Sequence, residues 1–510
     1  MRSVLQLAIA GALLAATSVP ALAAPSALIK CDGHGRRQTP GEQVGRGILI
    51  LGTLGLFGSA ERDQPSARLK GDEAIAACTE ALSDSRTTGN PVRRAEVLLM
   101  RAGRQFEMGR FEDAISDARA ARSAELTPLV RAHFDRNIAP ATVMLEAFAR
   151  ASQDRQAEAE QLAFQAANAR PWGSFLLEEA LRIMQLTPLV TPDERALLDR
   201  LWKLMPSARV ATHHEGAGDW KAAETSLTQL AAMLSKPGVV ILARTAAVQA
   251  LAGNTEGAKA TLARTAQDLD ELAAQAQSMT ADKAQTARGQ IASADELVLL
   301  AKAQMALNSG DVEGAKGFVA GRPRWLAPAV IAAPIIANVQ AKGGAGAAPG
   351  VDPAKMLADA AKVRRDSATG KGVHSLVTVM LPRWEDPDVT QDLAKAMLPD
   401  SKVMQPKPVR DGAATAITTV RSLALDTASE ALLVASARAA AARGKDRFAV
   451  ILQFSLPSVA REGLASRLGI IEFVTPGDAL FAGQENRAFK VADIEAALGE
   501  RYRVPEPAKR

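Results

Sequence analysis

The chain has 510 residues, of which 47% are hydrophobic and 23% are charged, and this composition excludes a disordered protein and fits two or three folded domains. Its 61 basic and 56 acidic residues leave a net charge of +5, which is too balanced to indicate a nucleic-acid-binding protein. Only 4% of the residues are aromatic while alanine is abundant, and this bias favours helices over strands. The predicted class is mainly α.

Residues 1–23 have the features of a secretory signal peptide. Arg2 gives a basic start, residues 4–19 are largely apolar, and residues 21–23 form the small-x-small pattern that signal peptidase accepts before Ala24. An uncleaved membrane anchor is the alternative, but the segment is short for a bilayer span. We therefore expect a periplasmic protein that is exported and cleaved near Ala23.

The chain contains two cysteines, Cys31 and Cys78. In an oxidising compartment an isolated pair is most simply interpreted as one disulfide, which ties residues 24–65, the N-terminal arm, to the first predicted helix. Two free thiols or two metal ligands are the alternatives. The metal-ligand alternative is poorly supported. CDGH at residues 31–34 contains two possible metal ligands, but the sequence has no matching second pair of ligands.

An apolar, glycine-containing segment occupies residues 45–60 of this arm. Its continuous apolar run covers only residues 48–57, which is too short to cross a membrane. The segment is interpreted as an arm packed against the first helices. A surface that touches lipid or a protein partner is the alternative.

From Gly71 onward the chain shows helical periodicity interrupted by glycines, and it repeats internally. Five anchor positions align: Gly109, Asp154, Gly218, Gly253 and Gly310. Alanine stands seven residues before every anchor, at Ala102, Ala147, Ala211, Ala246 and Ala303, and five residues after it, at Ala114, Ala159, Ala223, Ala258 and Ala315. A small residue at both positions predicts two helices in close contact around a turn.

This pattern resembles the tetratricopeptide repeat, a unit of about 34 residues made of two antiparallel helices. The best match is LLMRAGRQFEMGRFEDAISDARAAR, residues 98–122, where the resemblance implies that Gly109 makes the turn and Phe111 closes the pair. The copies are irregular, since Asp154 replaces the turn glycine and only Gly218 and Gly253 stand close to the family's spacing.

We therefore predict a degenerate, tetratricopeptide-like α-solenoid over residues 66–340. Another α-solenoid family is the structural alternative. Before Gly218 the sequence also predicts a further helix pair, Ser174–Leu186 and Thr191–Met205, the second opened by Thr191 as cap and Pro192 in the first turn.

Stacked helix pairs form an extended surface, so the resemblance implies a groove that holds a protein or peptide. The positions expected to face it are mostly apolar: Leu99, Gly103, Phe106, Ala243, Ala247, Leu300, Gln304 and Leu307. Such a lining favours an amphipathic helix as the guest. The alternative is a groove filled by the chain's own helices or by its C-terminal domain.

A flexible linker is predicted at residues 341–351, because AKGGAGAAPG contains four glycines and a proline. Beyond it, residues 352–510 are predicted to form a small α+β domain with a mainly antiparallel sheet. Its helices are expected at 353–364, 426–447 and 491–501. Its strands are expected at 374–381, 415–425, 448–454 and 468–474.

A catalytic or metal-binding constellation is not evident in the sequence, and no cofactor is predicted. The HHE run at residues 213–215 lacks the HExxH spacing and is interpreted as a surface or groove-lining pair. SATGKGVHS, residues 367–375, lacks the spacing of a phosphate loop and is interpreted as a turn. His374 and Ser375, followed by Asp386 and Asp388, are insufficient for a hydrolase.

The predicted function is non-catalytic protein or peptide binding in the periplasm, in cell-envelope assembly. One alternative is an envelope enzyme with a catalytic C-terminal domain that uses the solenoid to recruit substrate. The other is a structural scaffold associated with the outer membrane through residues 45–60.

Overall fold

The computed structural model is mainly helical, with a small antiparallel sheet near the C-terminus, which confirms the predicted class. It describes residues 25–33, 67–126, 131, 134–135, 138–184, 191–234, 236–380, 407–410, 413–421, 425–456, 464–475, 477–478, 481 and 487–502. The predicted signal peptide, residues 1–23, and the apolar segment at 45–60 lie outside these ranges. Its contacts divide the chain into two compact units, residues 1–126 and 127–510.

The first unit is helical throughout its described part. Its helices are α1 (Ala27–Asp32), α2 (Gly71–Ser83), α3 (Ser85–Thr88), α4 (Pro91–Glu107) and α5 (Phe111–Arg122). Asn90 begins α4 as an N-cap, its side-chain oxygen accepting from the backbone N–H of Arg93 at 3.0 Å.

A disulfide between Cys31 and Cys78 joins α1 to α2, as the sequence predicted. Two further contacts hold α1 in place. The carboxylate of Asp32 lies 2.5 Å from the guanidinium of Arg93, and the backbone N–H of Leu69 donates to the carbonyl of Lys30 at 2.9 Å. Helix α1 is therefore fastened to the chain that follows by covalent, ionic and backbone contacts.

The second unit continues the helical pattern over most of its length. Its helices up to residue 343 are α6 (Ile138–Ser152), α7 (Gln156–Ala169), α8 (Ser174–Met184), α9 (Pro192–Leu204), α10 (Ala208–Gly216), α11 (Trp220–Met233), α12 (Val239–Leu251), α13 (Thr255–Ala276), α14 (Ala281–Asn308), α15 (Val312–Val319) and α16 (Ala329–Gly343). The predicted cap of α9 is confirmed, because the Thr191 hydroxyl accepts from the backbone N–H of Glu194 at 3.1 Å.

The five anchor positions of the sequence repeat adopt one backbone conformation. Each has a positive φ, between 59° at Asp154 and 85° at Gly310, and each follows the end of a helix. In all five, the N–H of the residue after the anchor donates to the carbonyl five residues earlier at 2.8–2.9 Å. This is the hydrogen bond of a Schellman turn, which glycine favours because it has no Cβ to oppose a left-handed backbone.

The ten alanines around these anchors are all buried, with 0% of their surface exposed. Five stand on the helix before the turn and five on the helix after it. Because a methyl group is the shortest side chain with a Cβ, these positions let the paired helices approach closely. The helix pairs predicted from the alanine pattern are therefore present, while their stacking into a solenoid stays a prediction.

The predicted linker packs against the helical core over part of its length. Residues 341–343 complete α16, a short 3₁₀ turn follows at Ala345–Ala347, and Ala347 and Ala348 join the apolar cluster formed by helices α10 to α16. The side-chain amide of Gln340 donates to the carbonyls of Ala348 and Val351 at 3.3 and 2.9 Å. The segment is thereby held at both ends of its glycine-rich stretch.

The strand predicted at residues 374–381 and the turn predicted at 367–375 are wrong. One helix, α17 (Pro353–Met380), runs through both. Residues 353–364 favour a helix. Once a helix has formed, extending it by one residue costs little free energy, even where β-branched side chains favour a strand.

The remaining C-terminal elements form the sheet and its helices. They are β1 (Lys407–Arg410), β2 (Ala413–Arg421), α18 (Leu425–Ala441), β3 (Arg447–Leu456), β4 (Leu464–Val474), β5 (Phe489–Lys490) and α19 (Val491–Ile494), which continues to Tyr502 as π and 3₁₀ turns. The strand order is β1-β2-β4-β3-β5 and every pairing is antiparallel. The predicted antiparallel sheet and its last three predicted strands are confirmed.

Candidate functional site

The structure buries all of the proposed groove residues. These are Leu99, Gly103, Phe106, Ala243, Ala247, Leu300, Gln304 and Leu307. Leu300 and Leu307, for example, belong to the same apolar cluster as Ala243 and Ala247. Side chains enclosed by their own chain are not free to contact a peptide, so these positions pack helices together and do not line an open surface.

A cavity of about 370 Å³ lies between α9, the turn before α8 and the residues preceding β5. Its lining consists of Pro171, Trp172, Asp199, Arg200, Trp202, Lys203 and Arg487. Pro171 and Asp199 are exposed, whereas Trp202 is buried. The cavity therefore has a solvent-exposed rim and an aromatic wall, and its volume lies within the usual range for small-molecule sites, about 300–1,000 Å³.

Cations stack on aromatic rings around this cavity. The Arg487 guanidinium lies 4.4 Å from the centre of the Trp202 ring, and the Lys203 ammonium lies 4.9 Å from the centre of the Phe489 ring. The rings of Trp172 and Phe489 are 6.1 Å apart at an angle of 57°. The aromatic faces thus hold two cationic groups at the cavity by cation–π attraction.

The local charge of the cavity is positive. Arg200, Lys203 and Arg487 outnumber the single carboxylate, Asp199. Burial lowers the pKa of Arg487 to about 10, with Asp199 opposing the shift, and burial also lowers the pKa of Lys203 and of Arg200. Burial thus disfavours the charged forms of these groups more than nearby carboxylates, Asp199 for Arg487 and Asp493 for Lys203, favour them.

Two hydrogen-bond donors at the cavity are unused. The indole Nε1 of Trp202 and the Nη1 of Arg487 are buried, and neither meets an acceptor among the described residues. By contrast Arg200 is engaged, since it donates to the Asn168 side-chain oxygen at 2.7 Å. A buried donor without an acceptor carries a desolvation cost of about 1–3 kcal/mol, so an acceptor placed here is favoured.

The turn that carries Pro171 and Trp172 is fixed by a buried polar network. Arg170 on one side of the turn pairs with Glu430 of α18 at 3.1 Å, and the Tyr502 hydroxyl donates to the same carboxylate at 2.7 Å. On the other side, Asp426 accepts from the backbone N–H of Phe175 at 2.6 Å, which caps the start of α8.

Close packing and charge reinforce this network. A Cβ at Gly173 would come within 2.5 Å of the Asp426 side chain, so glycine is required there for the carboxylate to reach the helix. Burial lowers the pKa of Arg170, but the carboxylates of Glu430 and Asp426 outweigh that effect and raise it overall. The guanidinium is thus held charged inside the protein, and the turn is rigidly placed.

The histidine pair at residues 213 and 214, interpreted as a surface or groove-lining pair, is buried, so it does not lie on an exposed surface. His213 Nδ1 lies 2.7 Å from a carboxylate oxygen of Glu194. Burial lowers the pKa of His214, and Glu215 accepts two hydrogen bonds from Arg244, one of them at 2.8 Å. These residues connect α9, α10 and α12 through polar contacts within the helical core.

The described part of the chain contains neither a cluster of metal ligands nor a helix that could span a membrane. Its His, Cys, Asp and Glu side chains nowhere gather into a group of three or more suited to a metal ion. Among the helices of that part, none combines the length and apolar character needed to cross a membrane.

The cavity was not predicted from the sequence. Trp202 and Lys203 are neighbours on a predicted helix and Trp172 directly follows Pro171, which are weak local signals. Arg487 comes from a distant part of the chain, and only the fold brings it to Trp202. No protein-family model matches the chain, and no curated protein matches it.

Proposed function

We propose that the mature protein is an exported, non-catalytic helical repeat protein that binds a protein or peptide during cell-envelope assembly. The observation that supports it most is the fivefold recurrence of one turn with one buried alanine pair. Repeated helix pairs that stack on their neighbours give extended surfaces suited to macromolecular partners. The resemblance to tetratricopeptide repeats favours the same use.

The partner would contact exposed side chains, since the eight groove positions are buried. The longest helices of the repeat region, α13 and α14, are joined through residues 277–280, and most side chains between 266 and 290 are exposed. Leu272 and Met279 are half-buried there, as is Ile291 next to it, and Leu272 packs in part against the apolar cluster of α10 to α16. This helix pair is the surface on which we expect an amphipathic helix of the partner to bind.

Site-specific photo-crosslinking in native envelopes tests this proposal. A photoreactive amino acid is placed at Gln275 of α13 and at Gln285 of α14, both exposed, and at exposed Ala442 after α18 as the control position. We expect one discrete crosslinked protein from the first two positions and not from the third. Equal labelling from all three, or none from the helix pair, would contradict the proposal.

Export is tested separately. Fractionation and N-terminal sequencing of the native protein are expected to show a periplasmic chain that begins at Ala24. A cytoplasmic protein that retains Met1 would remove the cellular location from the proposal while leaving the binding surface to the crosslinking experiment.

A further inference from the structure

We propose that the cavity lined by Trp172, Trp202, Lys203 and Arg487 binds a small aromatic carboxylate, either free or at the C-terminus of a peptide. This proposal is independent of partner binding by α13 and α14, because it concerns different residues and a different chemistry. It assigns a ligand class to a cavity formed by helical and C-terminal elements of the second unit.

The charge of the ligand follows from the cations. Among the described residues, no carboxylate lies within ion-pair distance of Lys203 or Arg487, although both are half-buried. Asp199 lies on the exposed rim, where water screens its charge. An anion inside the cavity would therefore add a direct ion pair to two cations that, among the described residues, have only aromatic rings and more distant carboxylates around them.

The unused donors indicate where the anion binds. Arg487 Nη1 and Trp202 Nε1 belong to two side chains that stack on each other and that both line the cavity. A carboxylate has two oxygens and accepts from two donors at once. The two buried donors and the two oxygens are thus matched in number and in polarity.

The body of the ligand follows from the rings. Trp172 and Trp202 both line the cavity, and the centre of the Phe489 ring lies 6.1 Å from that of Trp172. Aromatic walls favour a flat, apolar group through offset or edge contacts. Acetate alone would satisfy the donors and leave this surface in water, whereas an aromatic carboxylate covers both.

Calorimetry and tryptophan fluorescence on the full mature chain test the proposal with four probes: indole-3-acetate, its neutral amide, acetate, and a short peptide that ends in a free tryptophan carboxylate. We expect indole-3-acetate or the peptide to bind at one site and to change the tryptophan emission. The amide and acetate are expected to bind at least about tenfold more weakly, the factor for one charge-assisted hydrogen bond. Binding of the peptide alone identifies a chain terminus as the source of the carboxylate.

Variants distinguish this cavity from other sites. Arg487→Gln is expected to weaken binding at least about tenfold, because it removes the charged donor. Lys203→Gln tests the same charge if the first variant fails to fold, and Lys259→Gln, an exposed lysine on α13, is the matched control. The proposal is overturned if neither carboxylate binds at millimolar concentration, if the amide binds as well as the acid, or if the cavity variants bind like the control.

Discussion

Two regions of this protein hold distant segments together by different chemistry. In the first unit, α1 is joined to α2 by the Cys31–Cys78 disulfide, assisted by the Asp32–Arg93 ion pair. In the second unit, the turn at residues 170–174 is joined to α18 and to Tyr502 by noncovalent contacts. Arg170, Glu430 and Tyr502 form that connection, each with 2% or less of its surface exposed.

The disulfide and the ionic network stabilise the fold in different ways. A disulfide acts mainly by restricting the unfolded chain, so its loss leaves the folded contacts in place. A buried ionic network exists only in the folded state, and the loss of one member leaves another charge desolvated and uncompensated. The second connection should therefore be the more sensitive to a single substitution.

The largest effect is expected from Glu430→Ala. The substitution leaves the Arg170 guanidinium buried without the carboxylate that pairs with it at 3.1 Å. Breaking one partner of a buried ion pair costs about 3–5 kcal/mol, to be measured as a lower urea midpoint. A loss below about 1 kcal/mol would show that the network is not the main connection between the turn and α18.

A double variant sharpens this test. Arg170→Met with Glu430→Leu replaces both charges by apolar side chains, and exchanges of this kind are often neutral or stabilising. We expect the double variant to recover most of the stability lost in Glu430→Ala. Glu256→Ala, which removes an exposed partner of Lys259, is the surface control and should change stability by less than about 1 kcal/mol.

Removing the disulfide is expected to have the next largest effect. Cys31→Ala with Cys78→Ala should cost about 2–4 kcal/mol, because the cross-link closes a long loop in the unfolded chain. Differential scanning calorimetry with and without reductant measures it. Reductant should lower the melting temperature of the native chain and leave the double variant unchanged, and equal responses would contradict the prediction.

These two connections also differ in how well they can be predicted from the sequence. Two cysteines allow only one intramolecular pairing, so the disulfide could be predicted from residue type together with the predicted export. Arg170 and Glu430 are one cation and one anion among 61 and 56, and neither stands in a local pattern that identifies its partner. The Trp202–Arg487 contact at the cavity was hidden for the same reason.

Local signals explain the remaining outcomes. The cap at Thr191, the alanine pairs and the turn anchors are set by residues a few positions apart, and each was predicted correctly. The β-branched run at 374–381 is also a local signal, but the helix that precedes it decided the structure there. Local preference alone therefore predicted the turns well and the end of α17 badly.

The alanine contacts are expected to contribute less than either long-range connection. Ala258→Arg and Ala114→Arg each force a long side chain into a helix contact that is fully buried, and overpacking of this kind costs about 1–3 kcal/mol. Ala260→Arg and Ala120→Arg, exposed on the same two helices, are matched controls. Thermal melts followed by circular dichroism should show a loss only for the buried sites, and unchanged melts at both would count against the repeat register.

The smallest expected effect separates backbone conformation from packing. A Cβ at Gly310 or at Gly289 would meet nothing within 4 Å, so alanine fits sterically at both. Gly310 has a φ of +85° in a Schellman turn, where alanine costs about 1–2 kcal/mol, whereas Gly289 lies within α14, where alanine gains about 0.5–1 kcal/mol.

Urea denaturation of the two variants should therefore shift the midpoint in opposite directions. Two substitutions of the same kind, made around the same helix, then differ only in the backbone angle that they must accept. Shifts of the same sign would mean that the turn after α14 is not left-handed. The equivalence of Gly310 with Gly109, Gly218 and Gly253 would then lose its physical basis, because the shared turn conformation is what relates these positions beyond their sequence.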